Sequence, residues 1–237
     1  MVQPNIIQDR LQELFPVHYR NGNILMINAD CMDVMKHIKD KEVELSCVDP
    51  PYGINIAKEK PRVSGRWNYK PGKWDELPPP PEYFEQLFRV SKNQIIWGGN
   101  YFLLPPSRCW IIWDKKQSVD NFADGEMAWT NFDEVVSFFR FSFSANRYKI
   151  HITQKPVALY KWLLSRYAKP GDRILDTHGG SGSICIACHD LGYDLTWMEL
   201  DEDYYEAACA RYKLHASQAQ LFEPNNTPVI KDQDFTF

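Results

Sequence analysis

The run Arg173 to Gly182, RILDTHGGSG, restricts the fold of this 237-residue chain more than any other stretch. A short apolar segment ends on an acid, turns through three glycines and passes into Ser183 to Leu191, whose apolar pattern stops at Gly192. That is a strand, a tight turn and a helix, with backbone N–H groups exposed to a ligand at the helix N-terminus. Other segments repeat the alternation. Asn23 to Asn28, Glu42 to Val48, Gln94 to Trp97, Cys109 to Trp113 and Asp194 to Glu199 read as strands, and Glu134 to Phe143 is rich in β-formers. Helical spacing marks Cys31 to Ile38, Phe84 to Phe88, Pro156 to Ala168 and Asp203 to His215, while Pro78 to Pro81 reads as a rigid lead-in to the second of these. The expectation is an α/β protein: a mostly parallel, twisted sheet with helices on both faces and ligands at the C-terminal ends of its strands.

Composition narrows the class. A formal charge of -4 argues against a protein that coats nucleic acid or membrane along its whole surface. No run approaches the roughly 18 apolar residues of a membrane span, and the N-terminus lacks a secretory pattern, so a soluble, cytoplasmic protein is expected. The six cysteines sit singly in apolar segments and read as reduced core thiols. Cys185 and Cys188 match C-x-x-C, but they lie in a helix and nothing completes a four-ligand set, so no metal is expected.

Two constellations carry chemistry. At the end of the Glu42 to Val48 strand stands Asp49-Pro50-Pro51-Tyr52. An exocyclic base amine is a poor nucleophile because its lone pair is delocalised. The Asp49 carboxylate and the Pro50 carbonyl could each accept one of its N–H groups and stabilise positive charge as it attacks. Pro50 and Pro51 remove competing donors, and Tyr52 offers a face for an extruded base, a contact worth ~1 to 3 kcal/mol. The second constellation pairs the glycine turn, Asp176 to Gly182, with Glu199 at the end of the following strand, where an acid accepts both hydroxyls of a ribose. Without a Walker lysine, the loop suits an adenosine with an amino-acid tail better than a nucleoside triphosphate. For His178, a ring lining the pocket and a solvated ring are equally open readings.

These residues resemble the amino-methyltransferases that methylate DNA with S-adenosylmethionine. DPPY precedes the glycine loop, as in the circularly permuted group called the β class, and His151 to Pro156, HITQKP, resembles that family's HPTQKP segment. The resemblance implies a Rossmann-like methyltransferase fold in one domain spanning 1–237. It would carry a catalytic and DNA-contact loop at about 53–80, a short recognition region at about 115–150 and an irregular tail at about 217–237. By the same resemblance Asp176, Gly179, Gly180, Ser181 and Gly182 surround the cofactor's methionine, with Glu199 on its ribose, and His178 is a candidate for the lining of the same cofactor pocket. Thr153, Gln154 and Lys155 stand at the carboxylate end, and Asp30 with Cys31 near the adenine. Lys155 also reads as an ordinary first-turn residue and Asp30 as a helix N-cap, a role compatible with the other. Ile152 and Thr177-His178 depart from the family's usual proline and proline-phenylalanine, which bears on cofactor affinity.

In this family an aspartate in DPPY goes with adenine N6. Duplex DNA is expected as substrate from charge: Lys58, Lys60, Arg62, Arg66, Lys70 and Lys73 interleave with Trp67, Tyr69 and Trp74, and Arg140, Arg147 and Lys149 form a second basic cluster. A solvated basic loop is the bland alternative. Phe138, Phe139, Phe141 and Phe143 are expected to pack in the core and sheet. A homodimer is compatible with so short a recognition region. The leading expectation is a DNA adenine-N6 methyltransferase. Cytosine-N4 or RNA methylation, and a DNA-binding protein with a degenerate cofactor pocket, stand as alternatives.

Overall fold

Nine strands form one sheet in the order β1-β2-β9-β8-β3-β4-β6-β5-β7. The structure, a computed structural model, describes residues 6–56, 74–116, 123–142, 150–151 and 153–218. In chain order the strands are β1 (His18–Asn21), β2 (Ile24–Asn28), β3 (Val43–Val48), β4 (Ser91–Trp97), β5 (Trp110–Asp114), β6 (Gly125–Thr130), β7 (Ser137–Arg140), β8 (Arg173–Asp176) and β9 (Asp194–Glu199). The helices are α1 (Ile6–Leu14), α2 (Cys31–Met35), α3 (Pro81–Val90), α4 (Val157–Tyr167), α5 (Ser183–Leu191) and α6 (Glu202–Ala216).

Side-chain alternation along the strands divides the core in two. Ile24, Met26, Ile95, Trp97, Leu195 and Trp197 pack with α4, α5 and α6, while Leu25, Ile27, Ile96 and Met198 pack with α1, α2 and α3. Both faces are therefore covered, as a parallel sheet requires.

The centre is parallel: β2 pairs β9, β9 pairs β8, β8 pairs β3 through Leu45↔Ile174 and Ser46↔Leu175, and β3 pairs β4. Strict alternation of strand and helix does not hold. α1 precedes an antiparallel β1–β2 hairpin, and β6 inserts antiparallel between β4 and β5. No helix separates β5, β6 and β7 among the described residues. Of the β-rich stretch Glu134 to Phe143, Ser137–Arg140 forms a strand. The strand is shorter than its composition suggests because β7 pairs only with β5, through Ile111↔Ser137 to Asp114↔Arg140. Phe138 is half exposed on this edge rather than in the core, whereas Phe139 packs on Trp162 at 5.5 Å. The reversal of β6 has a consequence for chemistry. Its first residues, Gly125 and Glu126, reach the same end of the sheet as the last residues of β3, β4, β5 and β7.

Candidate active site

At that end the loops after β3 and β8, neighbours in the sheet, meet over a cavity of 530 Å³. The volume lies within the roughly 300 to 1,000 Å³ of small-molecule sites. Asp49 and Pro51 line it together with Asp30, Cys31, Thr153, Gln154, Lys155, His178, Gly179, Gly180, Ser181 and Glu199. Asp176 and Gly182, also expected at the cofactor, shape the loop from below. Asp176 is buried and accepts the His178 N–H at 3.2 Å, and Gly182 sets the start of α5 in the left-handed region.

The glycine turn is close-packed. A Cβ on Gly179 would lie 1.8 Å from the Trp197 ring. Its N–H donates to Met198 at 2.8 Å, and the Gly180 N–H donates to Glu199 Oε2 at 2.7 Å. Glu199 Oε1 accepts from Asp201 N–H at 2.9 Å, which ties the acid to both neighbouring turns. Arg211 of α6 holds the loop from behind, donating to the Ser181 carbonyl at 2.7 Å and to Ser183 Oγ at 2.9 Å. Burial raises the Asp176 carboxyl well above the usual range and also raises Glu199, against the N–H bonds that Glu199 accepts. His178 lines the pocket rather than standing in solvent: its ring packs edge-on to Tyr83, and burial pushes its pKa down to about 4. Asp30 caps α2, accepting from Met32 N–H at 2.8 Å, and burial with Asp30 beside it pushes the Cys31 thiol up to about 12.

The turn after β3 is organised by Asp75, a residue no motif marks. Its Oδ1 accepts the N–H groups of Tyr52 and Gly53 at 2.8 and 2.9 Å, and Oδ2 accepts that of Ile56 at 2.9 Å. The Tyr52 ring stacks on Tyr101 at 5.0 Å and lies against Gly98, where a Cβ would fall 2.1 Å from Cε1. The Tyr52 hydroxyl donates to Asp49 Oδ1 at 2.7 Å.

Lys155 turns toward Asp49. Its Nζ lies 2.5 Å from Asp49 Oδ2 and 3.0 Å from Glu126 Oε2, and Lys115 Nζ lies 2.7 Å from Glu126 Oε1. Lys155 is 2% exposed, with the Trp97 ring 5.1 Å beneath its ammonium. Burial opposes its charge, but Asp49 and Glu126 outweigh burial and raise its pKa. For Asp49 burial wins over Lys155, and the carboxyl is raised. For Glu126 burial is outweighed by Lys155 and Lys115, and the carboxyl is held below its ordinary range. Thr153 Oγ1 pairs with His151 Nδ1 at 3.0 Å, and Gln154 Oε1 accepts the Ile150 N–H at 3.0 Å, so both brace the turn that presents Lys155.

Sequence reasoning missed Asp75, Glu126, Lys115 and Arg211. The first lies between tryptophan and a proline run, Glu126 is the second residue of β6 and Lys115 follows β5, and no local pattern announced the reversed direction of β6 that brings the two together. Arg140 ends β7 at the same end of the sheet as Asp49, with Asp114 at 3.7 Å. Lys58, Lys60, Arg62, Arg66, Lys70, Lys73, Arg147 and Lys149 lie outside the described residues.

An acid and a glycine turn facing one cavity at the ends of neighbouring parallel strands define a Rossmann-like methyltransferase fold. Residues 104–210 match the model of a family described as DNA methylase. The chain is 21% identical over 238 residues to the Type II methyltransferase M.HpaI of Haemophilus parainfluenzae, covering 78% of this chain and 73% of that one. Among solved structures, the M1.HpyAVI-SAM complex aligns with a TM-score of 0.54 at 18% identity, covering 79% of this chain and 99% of that chain. The cytosine-N4-specific PvuII DNA methyltransferase aligns with 0.55 at 14%, covering 89% and 93%. Over these spans the chain is similar to DNA methyltransferases.

Proposed function

We propose that this chain is a single-domain DNA methyltransferase of the permuted β class that transfers a methyl group from S-adenosylmethionine to N6 of an adenine turned out of duplex DNA. The observation that carries the reading is that Asp49 and Pro51 line the same cavity as Gly179, Gly180 and Glu199. Adenine rather than cytosine follows from Asp49, the residue type that accompanies N6 methylation in the resembling family.

The cavity fits the cofactor on its own terms. Gly179 and Gly180 line it without side chains, and Glu199 retains acceptor capacity beyond its two backbone N–H bonds. Gly179, Gly180 and Ser181 would hold the methionine part, Glu199 the ribose, and Asp30 with Cys31 the region of the adenine. S-adenosylmethionine, when bound, supplies an electrophilic methyl group on sulfur.

The chain's residues bring the amine to it. Asp49 and the Pro50 carbonyl accept the amine's two N–H groups, localising its lone pair and stabilising the charge it acquires. Held in this way, the amine nitrogen would accept the methyl group that S-adenosylmethionine supplies, leaving the cofactor's sulfur as a neutral thioether. The extra proton then leaves the cationic amine, an acid strong enough to lose it through Asp49 to solvent. Tyr52, its ring held between Tyr101 and Gly98 rather than offered to a base, steadies Asp49 through its hydroxyl, and the basic positions of 58–73 with Arg140 neutralise phosphates.

The test is incubation of the protein with methyl-labelled cofactor and duplex DNA, followed by digestion to nucleosides. Label in N6-methyladenine that disappears with Asp49→Ala is expected. Label in N4-methylcytosine or in RNA alone would reassign the substrate, and cofactor binding without transfer to any nucleic acid would overturn the reading.

A further inference from the structure

We infer that Glu126 is a positioning residue for methyl transfer: it receives the Lys155 ammonium when the acceptor amine takes that ammonium's place on Asp49. The inference rests on the role proposed above for Asp49.

Both Asp49 oxygens are engaged, Oδ1 by the Tyr52 hydroxyl and Oδ2 by Lys155. An amine that donates to this carboxylate competes with one of them for its oxygen. Tyr52 is the more firmly seated, with its N–H on Asp75 and its ring between Tyr101 and Gly98. Lys155 has a second acceptor already at 3.0 Å in Glu126. The side chain is buried, and an ammonium at that depth is stable only while paired. Glu126 makes the displacement feasible because Lys155 passes from one carboxylate to the other without losing a partner.

Lys115 completes the arrangement. By pairing with the other oxygen of Glu126 it makes Lys115, Glu126, Lys155 and Asp49 an alternating row of two cations and two anions. The hand-over leaves the total charge unchanged and moves the cation away from Asp49. An Asp49 carboxylate relieved of its ammonium meets the developing positive charge on the amine more strongly than a neutralised pair does.

The other titratable groups facing Asp49 are Tyr52 on its own turn, Cys47 on β3, Tyr83 on α3, Tyr160 on α4 and Asp176 on β8. Burial raises all five and favours their uncharged forms. The charges that act on Asp49 are therefore Lys155 and Glu126, with Lys115 paired to Glu126 behind them.

The experiment is single-turnover methyl transfer to duplex DNA by wild type, Glu126→Gln and Lys115→Met across about pH 5 to 9, with cofactor affinity measured in parallel. In Glu126→Gln the ammonium stays on Asp49. The transfer rate is expected to fall about tenfold or more with cofactor affinity within about threefold, and the acid limb to move to lower pH. Lys115→Met leaves the charge of Glu126 less neutralised, so the acid limb of this variant is expected to move to higher pH. A residue that only supports the fold would not shift the two variants in opposite directions. A wild-type rate and an unmoved acid limb in Glu126→Gln, or shifts of both variants in the same direction, would overturn the inference. If Glu126→Gln does not fold, the upward shift in Lys115→Met decides it. If wild type transfers nothing to DNA, the proposed function fails and carboxyl-carbon NMR titration of Asp49 takes over: a lower titration point in Glu126→Gln retains the coupling, and no change rejects it.

Discussion

Asp75 Oδ1 accepts the backbone N–H of Tyr52 at 2.8 Å, so a residue 23 positions away sets the conformation of the turn that carries Asp49. With the bonds from Gly53 and Ile56, one buried carboxylate satisfies three N–H groups of a turn whose prolines cannot donate. Asp75→Ala strands those donors. Stability is expected to fall by about 2 kcal/mol or more, since an unsatisfied buried group costs about 1 to 3 kcal/mol. Methyl transfer should slow about tenfold with cofactor affinity nearly unchanged, a contrast that urea denaturation, calorimetric binding and single-turnover rates together would expose.

The glycine turn separates two kinds of glycine. At Gly179 an added methyl meets the Trp197 ring, whereas at Gly180 the nearest atom is 3.7 Å away and the constraint is a φ of +51°. Gly179→Ala must move the loop and is expected to weaken cofactor binding by about tenfold or more. Gly180→Ala carries mainly the left-handed penalty of about 1 to 2 kcal/mol in stability. Isothermal titration with the cofactor and thermal unfolding of both variants distinguish the two costs.

At the opposite end of the sheet, Glu44 joins β3 to β8 through Arg173, with Nε and Nη2 each at 2.8 Å, and Lys92 adds a third contact at 3.0 Å. Burial raises this carboxyl, but Arg173 and Lys92 outweigh burial and bring it down to about 2. A carboxyl held below its unfolded value stabilises the fold above the ordinary carboxylate range and loses that contribution as pH falls toward about 2. Because Arg173 is partly exposed, Glu44→Gln should cost about 1 kcal/mol at neutral pH. Denaturation curves of wild type and variant should converge on acidification, and an undiminished gap at about pH 2 would refute the pairing as its source.

His178 supplies a second pH signature. Its folded pKa of about 4 lies below the ordinary 6.5, so the unfolded chain binds the proton first. Stability is then complete above about pH 6.5 and declines as pH falls toward about 4, with a loss from this group of about 2 kcal/mol at pH 5. His178→Phe, which restores the aromatic usual at this place in the resembling family, should flatten that decline while retaining the contact with Tyr83. Chemical denaturation between about pH 5 and 7 measures the slope directly. His151, also held at about 4 by burial and by Lys155, contributes a slope that remains in this variant.

The elements legible in the sequence were those whose signals are local. β2, β3, β8 and β9 announce themselves as apolar runs, α5 is bounded by Gly182 and Gly192, and α3 begins at Pro81 after an extended proline lead-in. Asp49 and the glycine turn could be assigned to strand ends because each follows its strand directly. α1 and the β1–β2 hairpin lacked so clear a pattern. β6, Gly-Glu-Met-Ala-Trp-Thr, begins polar and is paired on both sides, so its strand character comes from β4 and β5 rather than from its own composition.

By itself, then, the sequence determined which residues stand at the ends of apolar strands: Asp49, the glycine turn and Glu199. Which charges meet was decided only by tertiary structure. Lys155 stands two residues from Thr153 in a segment that resembles cofactor-binding ones, yet its ammonium turns to Asp49, 106 positions earlier, and to Glu126 at the start of a reversed strand. Residue types and strand-end positions are written locally in hydropathy and glycine placement. The pairing of buried charges depends on strand order and direction, which only the assembled sheet fixes.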